Sequence, residues 1–336
     1  MSASESVSAG GERVAEGSRA VAWRADRWAW IWAGVLAVSL TATLVAQAPP
    51  RVVVPLVLLF AWFVAPGWLM VRALAGRAAG GVAWAGAPPI GYLLSSLALL
   101  GLWALGFQGL GGVALAPLGA APVAWGLGWL VRGRLRLPAW SRADTRALLF
   151  VLALVPLIVG WPFARVGEAV GGGEAYRAYF TADLVWAMTA VAEVAKGAVP
   201  PVNPFRAGSP MHYYWLAHLF PAAEHQHFGD VLPLRHLLLV HATLIGLAFI
   251  AFLYSLARQF TSRAWAAAAG VVVAVFATSF EGLEQFVRLW SWGQPLGLVR
   301  YMNIDAVTRW VYGGLPIDGL QRLLLYQPQH QLGYAT

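Results

Sequence analysis

The sequence predicts an all-α membrane protein, a polytopic transmembrane bundle of about seven helices with interfacial helices in a long external loop. Of its 336 residues, 59% are apolar and only 11% are charged, whereas a soluble domain carries about 25% charged residues. The 54 residues from Ala78 to Val131 contain no charged side chain, which is enough for two spans of roughly 20 residues each. The apolar residues form continuous runs, whereas the strands of a membrane barrel alternate.

Composition also excludes several classes of protein. The chain has no cysteine, so it has no disulfide, no thiolate nucleophile and no Cys-ligated metal. Its formal net charge of +8 would suit nucleic acid or anionic lipid. The arginines lie at the ends of apolar runs and not in one block, so we interpret them as a topology signal and expect no nucleic-acid partner.

Seven apolar runs are candidates for the spans. Four prolines interrupt the third and fourth runs, and membrane helices tolerate proline where neighbouring helices satisfy the freed backbone groups. The runs are Trp28–Ala48, Val52–Val71, Val82–Gly106, Val113–Val131, Ala147–Phe163, Leu237–Ala257 and Ala264–Phe280.

The basic residues differ between the two sides of this bundle. The N-terminal tail and the second, fourth and sixth connections hold 13 arginines, whereas the short connections on the other side hold only Arg51. Positive side chains favour the cytoplasmic side, so we expect a multi-pass protein of the cell inner or plasma membrane with a cytoplasmic N-terminus. The 13 are Arg13, Arg19, Arg24, Arg27, Arg72, Arg77, Arg132, Arg134, Arg136, Arg142, Arg146, Arg258 and Arg263.

The chain divides into five segments on this interpretation. The first is rich in Ser, Gly, Ala and Glu, and we expect it to be a disordered cytoplasmic tail. In the last, Pro328 is placed like a helix start, so we expect the chain to be truncated before further spans. The segments are the tail 1–27, spans one to five in 28–163, an extracytoplasmic loop with the candidate active site in 164–235, spans six and seven in 236–280, and an extracytoplasmic segment in 281–336.

One carboxylate of the external loop lies among apolar side chains. The stretch from Glu174 to Lys196 has strong helix formers and no proline, which predicts a helix at the membrane interface. Asp183 lies in its middle and is a candidate general base. Its alternatives are a structural partner for an arginine and a solvated side chain. Glu174 lies nine residues earlier and would face the opposite side of one continuous helix. It would join Asp183 only from a loop before the helix.

The segment that follows, "VPPVNPFRAGSPMHYYW", predicts a rigid, extended surface wall because of its prolines. It carries Arg206 and His212. Tyr213 and Tyr214 suit either an interfacial aromatic belt or stacking on a sugar. The histidines of this loop leave a bound divalent metal open as an alternative, although no HExxH spacing is present.

Three residues of the second external segment are further candidates. Arg309 follows Asp305 by four residues, so a helical ion pair is the alternative to a role in binding. Arg322 is a candidate for contact with a phosphate, and His330 follows the turn at Pro328. The sequence has no Gly-rich phosphate loop and no GxSxG elbow, which disfavours a soluble nucleotide-dependent enzyme.

The block from Glu174 to Leu219 resembles the first large external loop of GT-C-type integral-membrane glycosyltransferases, relatives of protein O-mannosyltransferases and aminoarabinose transferases. The matching features are Asp183 on a helix, then "AKG", then "PPVNPFRAGSPMHYYWLAHL". "LLYQPQH" is similar to a late external element of such proteins. The resemblance covers about 46 residues, and the rest of the chain matches in hydropathy.

The resemblance implies a GT-C-like fold and the transfer of a sugar from a polyprenyl-phosphate donor to an acceptor glycan, lipid or protein on the extracytoplasmic face. It implies that Asp183, with Glu174, supplies the catalytic carboxylates. It implies that Arg206, Arg309 or Arg322 stabilises the departing phosphate. The other residues implied at the donor are His212, Tyr213, Tyr214 and His330.

Two other functions stay open. A transporter or flippase would need ionisable residues inside the spans, and His241 is the one such residue in the seven runs. A non-catalytic membrane scaffold would leave the candidate residues scattered, whereas an enzyme would bring Asp183, His330 and an arginine to one cleft.

Overall fold

A computed structural model of the chain describes ten stretches of residues, and within them the fold is almost wholly helical. The stretches are 26–75, 81–133, 138–175, 181–212, 215–276, 281–301, 310–312, 315–317, 320–326 and 328–335. The helices are α1 (Arg27–Val45), α2 (Pro50–Ala75), α3 (Gly81–Ala85), α4 (Ala87–Ala104), α5 (Gly109–Leu130), α6 (Arg142–Phe163), α7 (Thr181–Val194), α8 (Leu219–Phe228), α9 (Leu234–Phe260), α10 (Ala264–Phe276), α11 (Glu281–Ser291), α12 (Gln321–Tyr326) and α13 (Pro328–Ala335).

Short elements complete these stretches. Two 3-10 helices cover Trp215–His218 and Leu296–Tyr301. Strands β1 (Glu168–Val170) and β2 (Gly173–Ala175) form one antiparallel hairpin, and β3 (Trp310–Tyr312) and β4 (Leu315–Ile317) form another.

The predicted all-α, multi-span fold is confirmed. Six helices are long and apolar enough to cross a membrane: α1, α2, α3 with α4, α5, α6 and α9. The seventh predicted run forms α10, which has 13 residues and is about 20 Å long, against a hydrocarbon core of about 30 Å. Residues 277–280, the end of that run, lie outside the described stretches, as do residues 1–25 of the predicted tail.

Helices α2, α4 and α5 pack together as one group. Glycines let their backbones approach closely: a Cβ atom on Gly91 would lie 2.0 Å from the carbonyl oxygen of Val64, and one on Gly67 would lie 2.1 Å from that of Ala87. Small residues allow such contacts between membrane helices. Van der Waals contact therefore holds this group together, because lipid supplies no hydrophobic driving force between helices.

Helix α9 is the most buried of the spans and contacts α6, α10 and the two loop helices α7 and α8. Helix α1 packs mainly along α6, where the Thr43 hydroxyl donates to the Pro156 carbonyl at 3.4 Å. The central position of α9 explains why apolar residues lie on all of its sides between the polar residues near its ends and His241, as in a buried helix.

A buried ion pair joins the start of α6 to the end of α9. Arg258 Nε donates to Asp144 Oδ1 at 2.6 Å, and the Tyr254 hydroxyl donates to the same oxygen at 2.6 Å. Ser141 completes the shell through its backbone N–H, 2.9 Å from Asp144 Oδ2, and its hydroxyl, 2.6 Å away. We call this end of the bundle the basic end. At the same end Arg146 pairs with Asp26, the N-cap of α1, and lowers the pKa of that carboxyl.

The opposite end of the bundle, the loop end, carries the long loop of residues 164–235. Helix α6 ends there at Phe163 and leads into the β1–β2 hairpin, and α9 begins there at Leu234. His236 Nδ1 lies 3.1 Å from Gln47 Oε1, so the end of α1 joins the start of α9. The two ends therefore differ in the way the sequence predicts, with the arginine-rich connections on one and the long loop on the other.

Candidate functional site

Described parts of the long loop 164–235 and of the C-terminal segment 281–336 meet at the loop end. A cavity of ≈ 30 Å³ lies where they meet, with room for one or two water molecules. Helices α7, α9, α12 and α13 and the first 3-10 helix all contribute to its wall. We call it the loop-end cavity, and its lining includes Leu184, Ala187, Ala217, His218, His241, Leu325 and Leu332.

Asp183 lies in the first turn of α7, next to the cavity-lining Leu184, and its side chain is partly buried. A carboxylate at this position is also stabilised by the helix dipole. Trp186, one turn further on, stacks on Phe205 with ring centroids 6.2 Å apart. The helix that carries Asp183 is thus fixed against the proline-rich segment.

The proline-rich segment folds back on itself. The N–H of Asn203 donates to the Ser209 carbonyl at 2.8 Å, and the N–H of Met211 donates to the Pro201 carbonyl at 2.8 Å. Arg206 lies at the tip of this turn, and both it and His212 are exposed. The segment is therefore a closed turn and not the extended stretch that its prolines predict, because these backbone hydrogen bonds join its two ends.

Glu174 lies in β2, seven residues before α7 begins at Thr181. The helix predicted to begin at Glu174 is therefore shorter than expected, because the glycines at 171–173 favour a hairpin turn, with φ of +56° and +88° at Gly171 and Gly172. Glu174 Oε1 accepts from Arg235 Nη1 at 2.7 Å. This ion pair ties the hairpin to the start of α9, and the catalytic role of Glu174 stays a prediction.

The remaining candidates are only partly described. His330 lies on α13, which begins at Pro328 as predicted, and its side chain is partly buried. Tyr213, Tyr214 and Arg309 lie outside the described residues, as does the side chain of Arg322. The structure thus brings the segments of Asp183 and His330 to one end of the bundle, and the identity of a phosphate-binding arginine stays a prediction.

A buried polar cluster that the sequence analysis did not single out lies beside the loop-end cavity. Glu224 on α8 is fully buried, and its Oε2 is hydrogen-bonded to His241 Nε2 on α9. His218 is also buried. Among the described residues, Glu224 Oε1, His241 Nδ1 and His218 Nε2 have no hydrogen-bond partner. Such atoms call for water or a ligand, and two of these side chains line the cavity.

Burial shifts the pKa of Glu224 and of His218. It raises the pKa of Glu224, against the opposing effect of the adjacent His241. It lowers the pKa of His218 to about 4, so that ring is neutral at pH 7. One signal in the sequence points to the cluster: Glu224 is a lone acidic residue in the apolar stretch "LFPAAE", and His241 is the lone ionisable residue of its run.

The described histidine and carboxylate side chains do not form a metal centre. Within the ten stretches, no three His, Asp or Glu side chains are grouped so that they could hold a metal ion. His225 and His227 lie in the last turn of α8.

Three comparisons, with protein-family models, curated proteins and solved structures, find no match for this chain.

Proposed function

We propose that the protein is a membrane glycosyltransferase that moves a sugar from a polyprenyl-phosphate donor to an acceptor on the extracytoplasmic face. One observation supports this most: α7, which carries Asp183, and α13, which carries His330, pack at one end of the bundle around the same cavity. A scaffold would have no need to bring these segments together.

In the proposed reaction the carboxylate of Asp183 removes the proton of the acceptor hydroxyl. The acceptor oxygen bonds to the anomeric carbon as the bond from that carbon to the phosphate oxygen breaks. Polyprenyl phosphate leaves with the bonding electrons, and an arginine stabilises its charge. Arg206, at the exposed tip of its turn, is a candidate beside Arg309 and Arg322.

The orientation of the chain belongs to the same proposal. The basic end, with Arg146 and Arg258, faces the cytoplasm of a cell inner or plasma membrane, and the loop end faces outward. The donor then reaches the loop end from the outer leaflet, where its prenyl chain stays in lipid.

The test is sugar transfer by the purified protein in liposomes that contain lipid-phosphate sugars. We expect Asp183→Asn to lower turnover by about 100-fold or more, the range for a general base. Glu193→Gln is the matched control, because Glu193 lies on the same helix and pairs with Lys196 at the surface, and it should leave turnover unchanged. Equal turnover by Asp183→Asn and the control, with both variants folded, would contradict the proposal.

A proton-coupled transporter is the second candidate, and the Glu224–His241 pair favours it. Ionisable groups buried in a membrane bundle mark ion or proton pathways, and His241 lies about 10 Å along α9 from its first residue. Glu224→Gln separates the two functions. In a transporter it abolishes proton-driven uptake into liposomes, whereas in a glycosyltransferase Asp183→Asn is the variant that loses activity.

A further inference from the structure

We infer that α11 is an anchor that lies in the membrane–water interface, with its apolar face in the lipid. Helix α11 has 11 residues, about 16 Å of length, so it is too short to span. It begins five residues after α10, an apolar helix whose Trp265 and Val273 side chains are exposed on the outside of the bundle.

The two faces of α11 differ sharply in chemistry. At about 100° per residue, Phe286, Val287 and Trp290 fall within an arc of about 100°. Glu284 and Arg288 fall outside that arc, about 110° and 150° from its centre. There Arg288 pairs with Glu284. The helix therefore has one apolar face and one charged face that is already paired.

The apolar face of α11 is open in the isolated chain. Trp290 is 72% exposed, and Phe286 and Val287 are 43% and 49% exposed. The following turn adds Trp292, which is 67% exposed. Large exposed apolar surfaces are rare in water, whereas tryptophan is the residue that membrane interfaces favour.

The net charge of α11 indicates which kind of membrane lipid it can bind. Its charged residues are Glu281, Glu284 and Arg288, so the helix carries a formal charge of −1. Attraction to anionic lipid cannot hold it. Binding through buried apolar area alone predicts that the helix inserts equally into neutral and anionic membranes.

The absence of cysteine from the chain makes a direct test simple. Spin labels are attached to single-cysteine variants of the full chain in phosphatidylcholine liposomes, at Phe286, Val287 and Trp290. Gln285 and Arg288, each about 150° from the centre of the apolar arc, are the matched controls on the other face. Collision with oxygen reports lipid, and collision with a water-soluble nickel chelate reports water.

We expect the oxygen-to-nickel ratio to be several-fold higher at the three apolar positions than at the two controls. It should not change when one third of the lipid is phosphatidylglycerol. Labels at Phe286 and Trp290 that are sheltered from both reagents would show that a protein covers this face. Labels that collide freely with nickel on both faces would show that the helix stands in water. Either result would overturn the inference.

A second measurement does not depend on labels. Brominated phosphatidylcholine quenches tryptophan fluorescence at short range, and the difference between the wild-type chain and Trp290→Phe isolates one side chain. Strong quenching of that difference signal supports the anchor. Its absence, with the variant folded, contradicts the anchor.

Discussion

Removal of Arg258 should be one of the most damaging single changes at the basic end. Asp144 is fully buried, and Arg258 is the cation that contacts it. Arg258→Met keeps an unbranched apolar stem, removes the cation and leaves a buried carboxylate with only the neutral donors of Tyr254 and Ser141. Breaking a buried pair in this way costs about 3–5 kcal/mol.

The Asp144–Arg258 pair itself should contribute much less to the free energy of unfolding than the loss caused by removing Arg258 alone. In the double variant Asp144→Asn/Arg258→Met, the amide oxygen can still accept from Ser141, the amide NH2 can donate to the Tyr254 oxygen, and no charge is buried. We therefore expect the double variant to recover at least about 2 kcal/mol of the loss, since replacing a buried pair is often neutral. Comparison of the two single variants with the double variant measures the coupling.

Thermal unfolding in detergent, followed by the fluorescence of the 18 tryptophans, is the assay. At about 2–4 °C per kcal/mol, Arg258→Met should lower the midpoint by roughly 10 °C. Arg288→Met is the control, because its pair with Glu284 is half exposed and worth under about 1 kcal/mol. The reasoning is refuted if the two variants behave alike, or if the double variant is no more stable than Arg258→Met.

Three further predictions concern packing, protonation and topology. Gly91→Ala should lower the unfolding midpoint by several degrees, because the new Cβ atom would lie 2.0 Å from the Val64 carbonyl oxygen. Gly101→Ala, whose Cβ atom would have no neighbour within 4 Å, should leave the midpoint unchanged. Equal effects of the two substitutions would contradict close packing at Gly91. The folded pKa of His218 is about 4, below the ordinary 6.5. As the pH falls, the unfolded chain therefore takes up this proton at a higher pH than the folded chain does. Stability should therefore fall as the pH drops from about 6.5 to about 4. In a pH series of unfolding midpoints, His218→Leu should flatten that fall, and an unchanged slope would contradict the assignment. A cysteine in place of Arg132 should react with an impermeant maleimide only in inside-out vesicles, whereas labelling of intact cells would reverse the topology.

The spans were predictable because hydropathy is a local property. The run Leu237–Ala257 lies within α9, Leu234–Phe260, and the run Ala147–Phe163 ends where α6 ends. The start of α7 was placed too early because helix propensity was weighed without the glycine turn before it. Each of these predictions, correct or wrong, depends on a few residues that are neighbours in the sequence.

The polar contacts inside the bundle were not predictable in the same way. Glu224 and His241 lie 17 residues apart on different helices, and Asp144 and Arg258 lie 114 apart. Such pairs depend on which helices are neighbours, and hydropathy does not report that. The convergence of the segments that carry Asp183 and His330 was predicted from their common side of the membrane, and their chemistry is what the transfer assay tests.

The packing of α1 bears on how the chain assembles during synthesis. Helix α1 is made before the other helices that the structure describes, yet its main neighbour is α6, which follows three further spans. The pair of Asp26 with Arg146 likewise joins residues 120 positions apart. Between them α2, α4 and α5 form a group of their own. Since chains fold from the N-terminus as they are made, α1 lacks its main neighbour until three more spans and then α6 have been inserted. It therefore docks onto a partly built bundle.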